Sequence, residues 1–499
     1  MGGNDEPDVT ASLKVRTDVL YDLAAAALII AALAVALRMT RDLPGAFDPD
    51  HFRDIAQAQT SRDGHPLSDP YYKGEWVWYN PLLAWTLAIG SAATRTTVEQ
   101  FHVHGGPWLN LLGPIAFFLL AAKLAGRRAA LGGLVVYLFL LVGNEHSWAT
   151  ATYSPWLFAG NFSQGLFFTT ALIELWAAEQ PTDLRAVLAG AGIGLTFLAH
   201  TAPALILIVT AAALFWSKWR ALAIIGMASL LIASPFLLAI VWHYRLHVLN
   251  PVPLRYVYDP ISRPGIIQTL RGHALAIVLA AAGLWRLRSR FVWAWLAGAA
   301  ALTVSTMFGL TPVVPAFHFW LYVTALMAVL IGRTLATVCR PAPIFVAIAL
   351  ALVVWNWRAY TERADLQGGR FLAARRITDH IGAGVLLRMV SEPDDVVLGT
   401  PAAVRLIIGP AGRKTVAPDA LFSNPYVDAR SRAADRDRML AALEARDLTV
   451  LRELAGRWHV DAVVTTGAGD CAIAAELLPL TYRTLDVCIS FISDTKSPA

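Results

Sequence analysis

Three aspartates, Asp48, Asp50 and Asp54, follow closely after the first long apolar segment, in the stretch GAFDPDHFRDIAQAQ at residues 45–59. A carboxylate in a cavity at a membrane interface can act as a general base and take the proton of an acceptor. Loops at a membrane surface are polar in any case, so a single aspartate there is often only solvated. The three together favour a catalytic role, for which Asp48 and Asp50 are the candidates.

The pair Asp48-Pro49-Asp50 has the Asp-x-Asp spacing that can hold a divalent cation together with a phosphate. Two carboxylates alone do not establish a metal site, so Mg²⁺ or Mn²⁺ at Asp48 and Asp50 stays one alternative. Pro49 restricts its own backbone and biases Asp48 toward an extended conformation. The following residues, HFRDIAQAQ, predict a short amphipathic helix with Phe52 and Ile55 on one face, lying in the plane of the interface.

A second polar and aromatic stretch, DPYYKGEWVWYNPLLAWTLAIG, occupies residues 69–90. Most of its rings are typical of the aromatic belt at a membrane interface. Lys73 can pair with a lipid phosphate. Four other residues of the stretch are predicted to line a substrate cavity: Tyr72, Glu75, Tyr79 and Asn80.

The chain has 499 residues, of which 56% are hydrophobic and only 15% are charged. A soluble domain is about one quarter charged, so this composition predicts many membrane spans rather than one large core. The basic residues gather in short loops, which indicates membrane topology rather than nucleic-acid binding. We predict about 11 transmembrane helices, at approximately 18–38, 104–123, 129–144, 162–178, 186–201, 202–217, 221–242, 273–286, 291–309, 317–335 and 342–357.

The positive-inside rule orients these spans. If the N-terminus with Lys14 and Arg16 is cytoplasmic, every short loop that returns to the cytoplasm is basic. An odd number of spans then places the C-terminus outside. The Ala- and Arg-rich composition is associated with GC-rich bacterial genomes, so the predicted location is the bacterial inner membrane.

Three segments are too polar to span and fall on the outer side: 39–103, 144–161 and 243–272. Long loops with many aromatic residues and prolines, all on one face, predict a built site and not mere connections. His146 and His318 lie at the outer ends of predicted spans. Each is predicted either to line the cavity or to be an ordinary interface residue.

The character of the chain changes at about residue 359, where charged residues become frequent. DDVVLG, KTVAP, VDAVVTTG and LDVCISFI predict short buried strands, and ADRDRMLAALEAR and LTVLRELAGRWH predict helices between them. The sequence therefore predicts a transmembrane domain at 1–358 and an extracytoplasmic α/β domain at 359–499.

Two of the 3 cysteines, Cys471 and Cys488, fall in this C-terminal domain, which the topology places in an oxidising compartment. Cys471 opens a helix and Cys488 lies in the last strand, so their Cα atoms can reach the roughly 4.4–6.8 Å that a disulfide requires. We predict a Cys471–Cys488 disulfide, with a buried unpaired pair as the alternative.

The sequence resembles the GT-C superfamily of glycosyltransferases. The resemblance lies in an aspartate motif after the first span, a short helix containing Ile55-Ala56, and then Gly74, Tyr79 and Pro-Leu-Leu-x-Trp. The branch it resembles comprises the protein O-mannosyltransferases and the lipid A aminoarabinose transferases. AAKLAGRRAALGGLVVYLFLLVG resembles the second and third spans of that family. The likeness covers the whole chain as architecture, and it is specific in sequence over roughly 45–145.

This resemblance implies a sugar donor carried on a polyprenyl phosphate and transfer at the outer face, with an aspartate of the first loop as the base. The register of Ile55-Ala56 places Asp48 on the catalytic position of the family. The second acidic residue of the family falls on Pro49, so Asp50 is its candidate replacement. The lysine that this family carries before the proline aligns near Tyr79, so this sequence lacks a lysine at that position. Binding of the donor phosphate is therefore assigned to four other basic residues: Lys73, Arg255, Arg263 and Arg271.

The sequence does not identify the sugar or the acceptor. The acceptor can be a glycan, a lipid or a protein, and the chain itself is expected to contact membrane lipid. Two other functions are alternatives. A secondary transporter would show inverted repeats and charges inside the spans, and the sequence has no repeat and few such charges. A ligase or flippase for lipid-linked glycans would not explain the aspartate motif after the first span.

Overall fold

The computed structural model of the protein describes residues 9–140, 152–254, 271–307, 316–339, 341–362, 377–484 and 486–492. The chain divides into two compact units. The first, here the helical unit, comprises Met1–Thr40, Pro107–Ile232 and Tyr258–Gln367. The second, here the mixed unit, comprises Arg41–Gly106, Ala233–Val257 and Gly368–Ala499. Segments 41–106 and 233–257, which the sequence assigned to the transmembrane domain, are thus grouped with the C-terminal residues.

Helices account for most of the described chain up to residue 361. They are α1 (Val9–Thr40), α2 (Pro49–Arg62), α3 (Leu82–Thr94), α4 (Val98–Leu109), α5 (Leu112–Ala125), α6 (Arg127–Val135), α7 (Ala159–Glu179), α8 (Asp183–Ala199), α9 (Thr201–Phe215), α10 (Trp219–Leu237), α11 (Ala274–Arg286), α12 (Arg290–Met307), α13 (Ala316–Val338) and α14 (Ala342–Thr361). Single π-helical turns at Val136–Leu140 and Leu238–His243 extend α6 and α10, and a 3₁₀ turn forms at Val252–Leu254.

Each of the eleven predicted spans is mostly helical over its described residues, although Asn110 and Leu111 interrupt the second span and His200 interrupts the fifth. Among the described residues, five helical stretches are long and apolar enough to cross a membrane: Thr17–Thr40, Val98–Ala125 (α4 and α5 together), Trp219–His243, His318–Val338 and Ala342–Thr361. The protein is therefore a membrane protein, and the total of about 11 spans stays a prediction. The sequence missed α3, an apolar helix inside the segment 39–103 that was predicted to be a polar outer loop.

The core of the helical unit is built from aromatic rings and small residues. The ring of Phe117 stacks on that of Tyr137 with centroids 4.5 Å apart. Gly332 of α13 faces Ala129 and Gly133 of α6 so closely that any side chain at Gly332 would collide with their backbones. Small residues that allow helix backbones to approach closely are typical of packing between membrane helices.

The mixed unit contains the C-terminal sheet that the sequence predicts. Its remaining elements are α15 (Ile377–Val390), β1 (Val396–Gly399), a short helix and π turn (Pro401–Ala403 and Val404–Ile408), β2 (Lys414–Thr415), a 3₁₀ turn (Ala420–Phe422), α16 (Ala429–Glu444), α17 (Leu448–Trp458), β3 (Val460–Thr466), α18 (Ala468–Leu477), β4 (Leu480–Thr484) and β5 (Val487–Phe491). The strand order is β2-β1-β3-β5-β4.

Strands β2, β1 and β3 run parallel, whereas β5 is antiparallel to both β3 and β4. The register places Val397 beside Ala462, and Ile489 beside Tyr482. All four predicted strands are present. The sequence missed β4, which pairs with β5 at the edge of the sheet.

Successive residues of the strands point into two different apolar clusters, as the pleat requires. Val397 and Val464 belong to a cluster that also contains Ala56 of α2 and Tyr71. Val396 and Val463 belong to the other, which contains residues of α16 and α17. Helix α2 is thus held in the same apolar cluster as one face of the sheet.

This packing corrects the prediction for α2. The sequence predicts an amphipathic helix with one apolar face, but all ten residues from His51 to Thr60 are buried. The C-terminal end of α2 is also fixed by polar contacts, since Arg388 donates to Gln59 Oε1 at 2.6 Å and Arg413 lies 3.5 Å from Asp63. A helix enclosed on all sides can hold the carboxylates at its start in defined positions.

Candidate active site

Asp48 is the N-cap of α2. Its backbone is extended, with φ −101° and ψ 144°, and its Oδ1 accepts the backbone N–H of Asp50 at 2.9 Å. Pro49 occupies the first turn, where its missing N–H costs nothing. The half-exposed Asp48 therefore uses one oxygen to start the helix. Among the described residues, its Oδ2 has no hydrogen-bond partner.

Arg53 joins the other two aspartates one turn further along α2. Its Nη1 lies 3.0 Å from Asp50 Oδ1, and its Nη2 lies 2.8 Å from Asp54 Oδ1. The guanidinium also covers the ring of Tyr79, with 3.8 Å between its central carbon and the ring centroid. Charge-assisted contacts and a cation–π contact together fix this side chain. We call Asp48, Asp50, Arg53, Asp54 and Tyr79 the Arg53 cluster.

Burial raises the pKa values of the aspartates in the cluster. It raises the pKa of Asp54 to about 6, even though the Arg53 guanidinium opposes this shift. Burial likewise raises the pKa of Asp48, against the effect of the helix N–H group and of Arg53 and Arg405. Within the described residues, Asp54 Oδ2 receives no hydrogen bond. Carboxylates whose pKa values are raised in this way are better proton acceptors than ordinary surface aspartates.

A second polar network in the mixed unit holds the segment that carries Tyr79. Asp69 Oδ1 accepts the backbone N–H groups of Tyr71 and Tyr72 at 2.7 and 2.9 Å, and its Oδ2 accepts from Asn424 Nδ2 at 2.9 Å. Lys414 Nζ donates to the carbonyl of Asp69 at 2.6 Å. Burial raises the pKa of Asp69 to about 6.

Tyr244 extends this network to a third segment of the mixed unit. Its hydroxyl accepts from the Trp76 N–H at 2.7 Å and from Asn424 Nδ2 at 3.0 Å, and it donates toward Trp76 O at 2.9 Å or Glu75 Oε2 at 3.1 Å. The ring of Tyr244 stacks on Tyr426 with centroids 4.5 Å apart. We call Asp69, Tyr244, Lys414 and Asn424 the Asp69 network. It joins three stretches that are far apart in sequence.

The residues that the sequence predicted for the cavity have different surroundings in the structure. Tyr79 belongs to the Arg53 cluster, Glu75 contacts Tyr244, and Asn80 is half-buried. Tyr72 is fully buried in the apolar cluster of the sheet, with its hydroxyl 2.7 Å from Ser423 Oγ, so it stabilises the core. His318 lies in the helical unit, with its ring 4.4 Å from that of His200. His146 lies outside the described residues.

Of the four basic residues predicted to bind the donor phosphate, the structure describes two. Lys73 is exposed in the mixed unit. Arg271 is exposed and belongs to the helical unit. Arg255 and Arg263 lie outside the described residues.

Asp48 and Asp50 do not belong to a larger set of metal ligands among the described residues. Across the described parts of the chain, no group of three or more His, Cys, Asp or Glu side chains is arranged to hold a metal ion. Of the two predicted ligands, Asp48 caps the helix and Asp50 is paired with Arg53, whose positive charge would repel a cation. A Mg²⁺ or Mn²⁺ ion at Asp48 and Asp50 stays a prediction.

Several residues of the site are not among those predicted from the sequence. Arg53 could have been found, because it lies three positions after Asp50 on a predicted helix, where side chains of opposite charge meet. No sequence spacing predicts the Asp69 network, because Asp69 and Asn424 are 355 positions apart.

In the C-terminal region of the mixed unit, Cys471 and Cys488 are joined by a disulfide with their Cα atoms 5.4 Å apart. Cys471 lies in the first turn of α18 and Cys488 lies in β5. The remaining cysteine, Cys339, is a free half-buried thiol at the end of α13.

No protein-family model and no curated protein matches the sequence. Solved structures do match it. ArnT from Cupriavidus metallidurans in the apo state has a TM-score of 0.55 and 14% identity, over 95% of this chain and 99% of that one. ArnT bound to undecaprenyl phosphate gives 0.54 and 13%, over 96% and 99%. AglB, the oligosaccharyltransferase of Archaeoglobus fulgidus, in complex with an inhibitory peptide and a dolichol-phosphate, gives 0.53 and 12%, over 90% and 71%.

Proposed function

We propose that this chain, whose fold is that of the GT-C glycosyltransferases, is a membrane glycosyltransferase that takes a sugar from a polyprenyl-phosphate donor. The acceptor is a glycan, a lipid or a protein. The observation that carries the proposal is the Arg53 cluster, a set of carboxylates fixed at the start of a buried helix within this fold. Fold alone does not define an activity, so the proposal depends on this site.

The donor class is inferred from the likeness of fold. One of the similar ArnT structures is bound to undecaprenyl phosphate, and the AglB structure contains a dolichol-phosphate. Both ligands are a phosphate on a long prenyl chain, which suits a protein with many apolar helices. We extend this ligand chemistry to the present chain, with the sugar attached to the phosphate.

Within the cluster, Asp48 is the better candidate for the general base. Attack on the anomeric carbon needs a group that takes the proton of the acceptor. The Oδ1 of Asp50 is engaged by Arg53 at 3.0 Å, and the guanidinium opposes the rise that burial causes in the pKa of Asp50. Asp48 forms no such ion pair and keeps Oδ2 for a proton, so the choice depends on this oxygen and not on the pKa, which burial raises for both carboxylates. In this mechanism Arg53 positions Asp50 and Asp54.

The departing phosphate gains negative charge as the glycosidic bond breaks, so it needs a cation nearby. That cation is proposed to be one of four basic residues: Arg255, Arg263, Arg271 or Lys73. An arginine can hold a phosphate through two N–H groups. Alanine at the residue that fulfils this role should weaken donor binding and slow turnover together. If none of the four substitutions has either effect, these residues are not part of the mechanism.

The site is proposed to face the outside of a bacterial inner membrane. The basic short loops place the N-terminus in the cytoplasm, and an odd span count would place the C-terminal sheet outside. A base near the membrane surface can then meet a lipid-linked donor and an extracytoplasmic acceptor.

The deciding experiment is turnover of a polyprenyl-phosphate sugar by the purified chain in lipid, measured as release of polyprenyl phosphate. Asp48→Asn keeps the side-chain volume but removes the base, so we expect the rate to fall by about 10²–10⁴-fold with donor binding retained. Asp50→Asn should cost less. Asp42→Asn, at an exposed aspartate earlier in the same segment, is the matched control and should be fully active.

Two results would count against the proposal. Activity in Asp48→Asn together with loss of activity in Asp50→Asn would transfer the role of base to Asp50. Transport of the lipid-linked sugar across liposomes without release of polyprenyl phosphate would reject a transferase and favour a flippase or transporter.

A further inference from the structure

The turn between α11 and α12 in the helical unit borders a cavity of about 690 Å³. Ala213 of α9 and Leu284 of α11 form part of its apolar wall, and Arg288 of the turn and Arg290, the first residue of α12, also line it. Ligand sites in proteins commonly have volumes of about 300–1,000 Å³. The cavity is thus large enough for part of a lipid.

Two tryptophans complete the wall, and both are unusually exposed for such large apolar rings. Trp285 is 79% exposed and Trp293 is 52% exposed. The helices that carry them, α11 and α12, are apolar along their length. Tryptophan is enriched where the hydrocarbon of a bilayer meets its headgroups. An exposed Trp wall on apolar helices therefore indicates contact with lipid.

The positive charge at this cavity comes from two exposed arginines. Arg288 and Arg290 are exposed, and neither forms an ion pair in the part of the chain that the structure describes. The sequence offers little nearby compensation, because no Asp or Glu occurs between Asp259 and Glu362. The N-terminus of α12 at Arg290 adds the positive end of a helix dipole.

We propose that this cavity is a binding site for an anionic phospholipid. The lipid phosphate would lie between Arg288 and Arg290, and an acyl chain would lie along Trp285 and Trp293. Basic pockets between membrane helices bind anionic headgroups in this manner. A choline headgroup fits less well, since its own positive charge would meet the two arginines. A free anion would leave the apolar wall unused. This site is separate from the Arg53 cluster, and the inference does not depend on the proposed enzymatic function.

The test is native mass spectrometry of the full chain in detergent, titrated with phosphatidylglycerol or with phosphatidylcholine. We expect tight adducts of phosphatidylglycerol. They should bind roughly 30-fold more weakly in the Arg288→Ala/Arg290→Ala double variant, if each arginine contributes as one charge at a lipid surface does. Arg286→Ala is the matched control, because Arg286 is exposed at the end of α11 but does not border the cavity. It should bind as the wild type does.

A third variant, Trp293→Ala, should weaken phosphatidylglycerol binding while both arginines remain. An unchanged unfolding midpoint in phosphatidylcholine will show that each variant is folded. Equal binding of the two lipids, or equal loss in the Arg286→Ala control, would overturn the inference. So would displacement of phosphatidylglycerol by millimolar inorganic phosphate, because the site would then be one for a free anion.

Discussion

The hydroxyl of Tyr244 connects three segments of the mixed unit, so Tyr244→Phe tests whether the Asp69 network holds the segment that carries Tyr79. The substitution removes only the hydroxyl and keeps the ring that stacks on Tyr426. Two accepted hydrogen bonds, from Trp76 N–H and Asn424 Nδ2, are lost, and so is the single bond that the hydroxyl donates.

The expected magnitude follows from this count. One neutral hydrogen bond contributes about 0.5–1.5 kcal/mol net. Tyr244 is half-buried, so water will replace part of the loss. We therefore expect residues 66–80 to open more easily by about 1–3 kcal/mol, which corresponds to roughly 5- to 150-fold faster exchange of their backbone amides. Because Tyr79 supports Arg53 from this segment, activity should also fall, though by less than in Asp48→Asn.

The measurement is hydrogen exchange by mass spectrometry on the full chain, following peptides from 66–80. Tyr426→Phe is the matched control. It also removes one tyrosine hydroxyl and keeps the stacked pair, but that hydroxyl has no hydrogen-bond partner among the described residues. Unchanged exchange in Tyr244→Phe, or an equal increase in both variants, would refute the role assigned to the network.

Three further predictions follow from the charges, the thiols and the topology. Because burial raises the pKa of Asp54 to about 6, the folded chain keeps this proton to a higher pH than the unfolded chain. The free energy of unfolding of the wild type, measured relative to that of Asp54→Asn, should therefore decrease by on the order of 3 kcal/mol between about pH 4 and pH 7. A difference between the two proteins that does not change with pH would contradict the raised pKa of Asp54. Alkylation of the denatured, unreduced protein should label Cys339 alone, whereas three labelled cysteines would exclude the Cys471–Cys488 bridge. A reporter fused after the last residue should be active only outside the cytoplasm, and cytoplasmic activity would reverse the predicted orientation.

The local features of this protein could be predicted from its sequence because they depend on neighbours in the chain. Asp48 followed by Pro49 predicts an extended residue before a helix, and the structure has Asp48 as the cap of α2. The apolar runs predict the helices, and the short runs in VVLG and VDAVVTT predict β1 and β3. Strand β4 was missed because LTYRT is short, half polar and at the edge of the sheet.

The surroundings of the site were decided by tertiary structure. From its own residues α2 has one apolar face, yet it is buried on all sides by segments up to 350 positions away, such as the one that places Arg413 beside Asp63. Tertiary contacts of this kind determine which carboxylate is paired and which oxygen is left for a proton, and burial raises the pKa of all three aspartates.

The sequence by itself therefore determined the kind of protein and the position of its aspartate motif, since hydrophobic length and residue spacing are properties of the chain alone. Only the tertiary structure placed Tyr79 under Arg53 and Asn424 against Asp69. A hydrogen bond or a cation–π contact acts over a few ångströms, and no pattern in a single sequence shows which distant residues the fold will bring to that range.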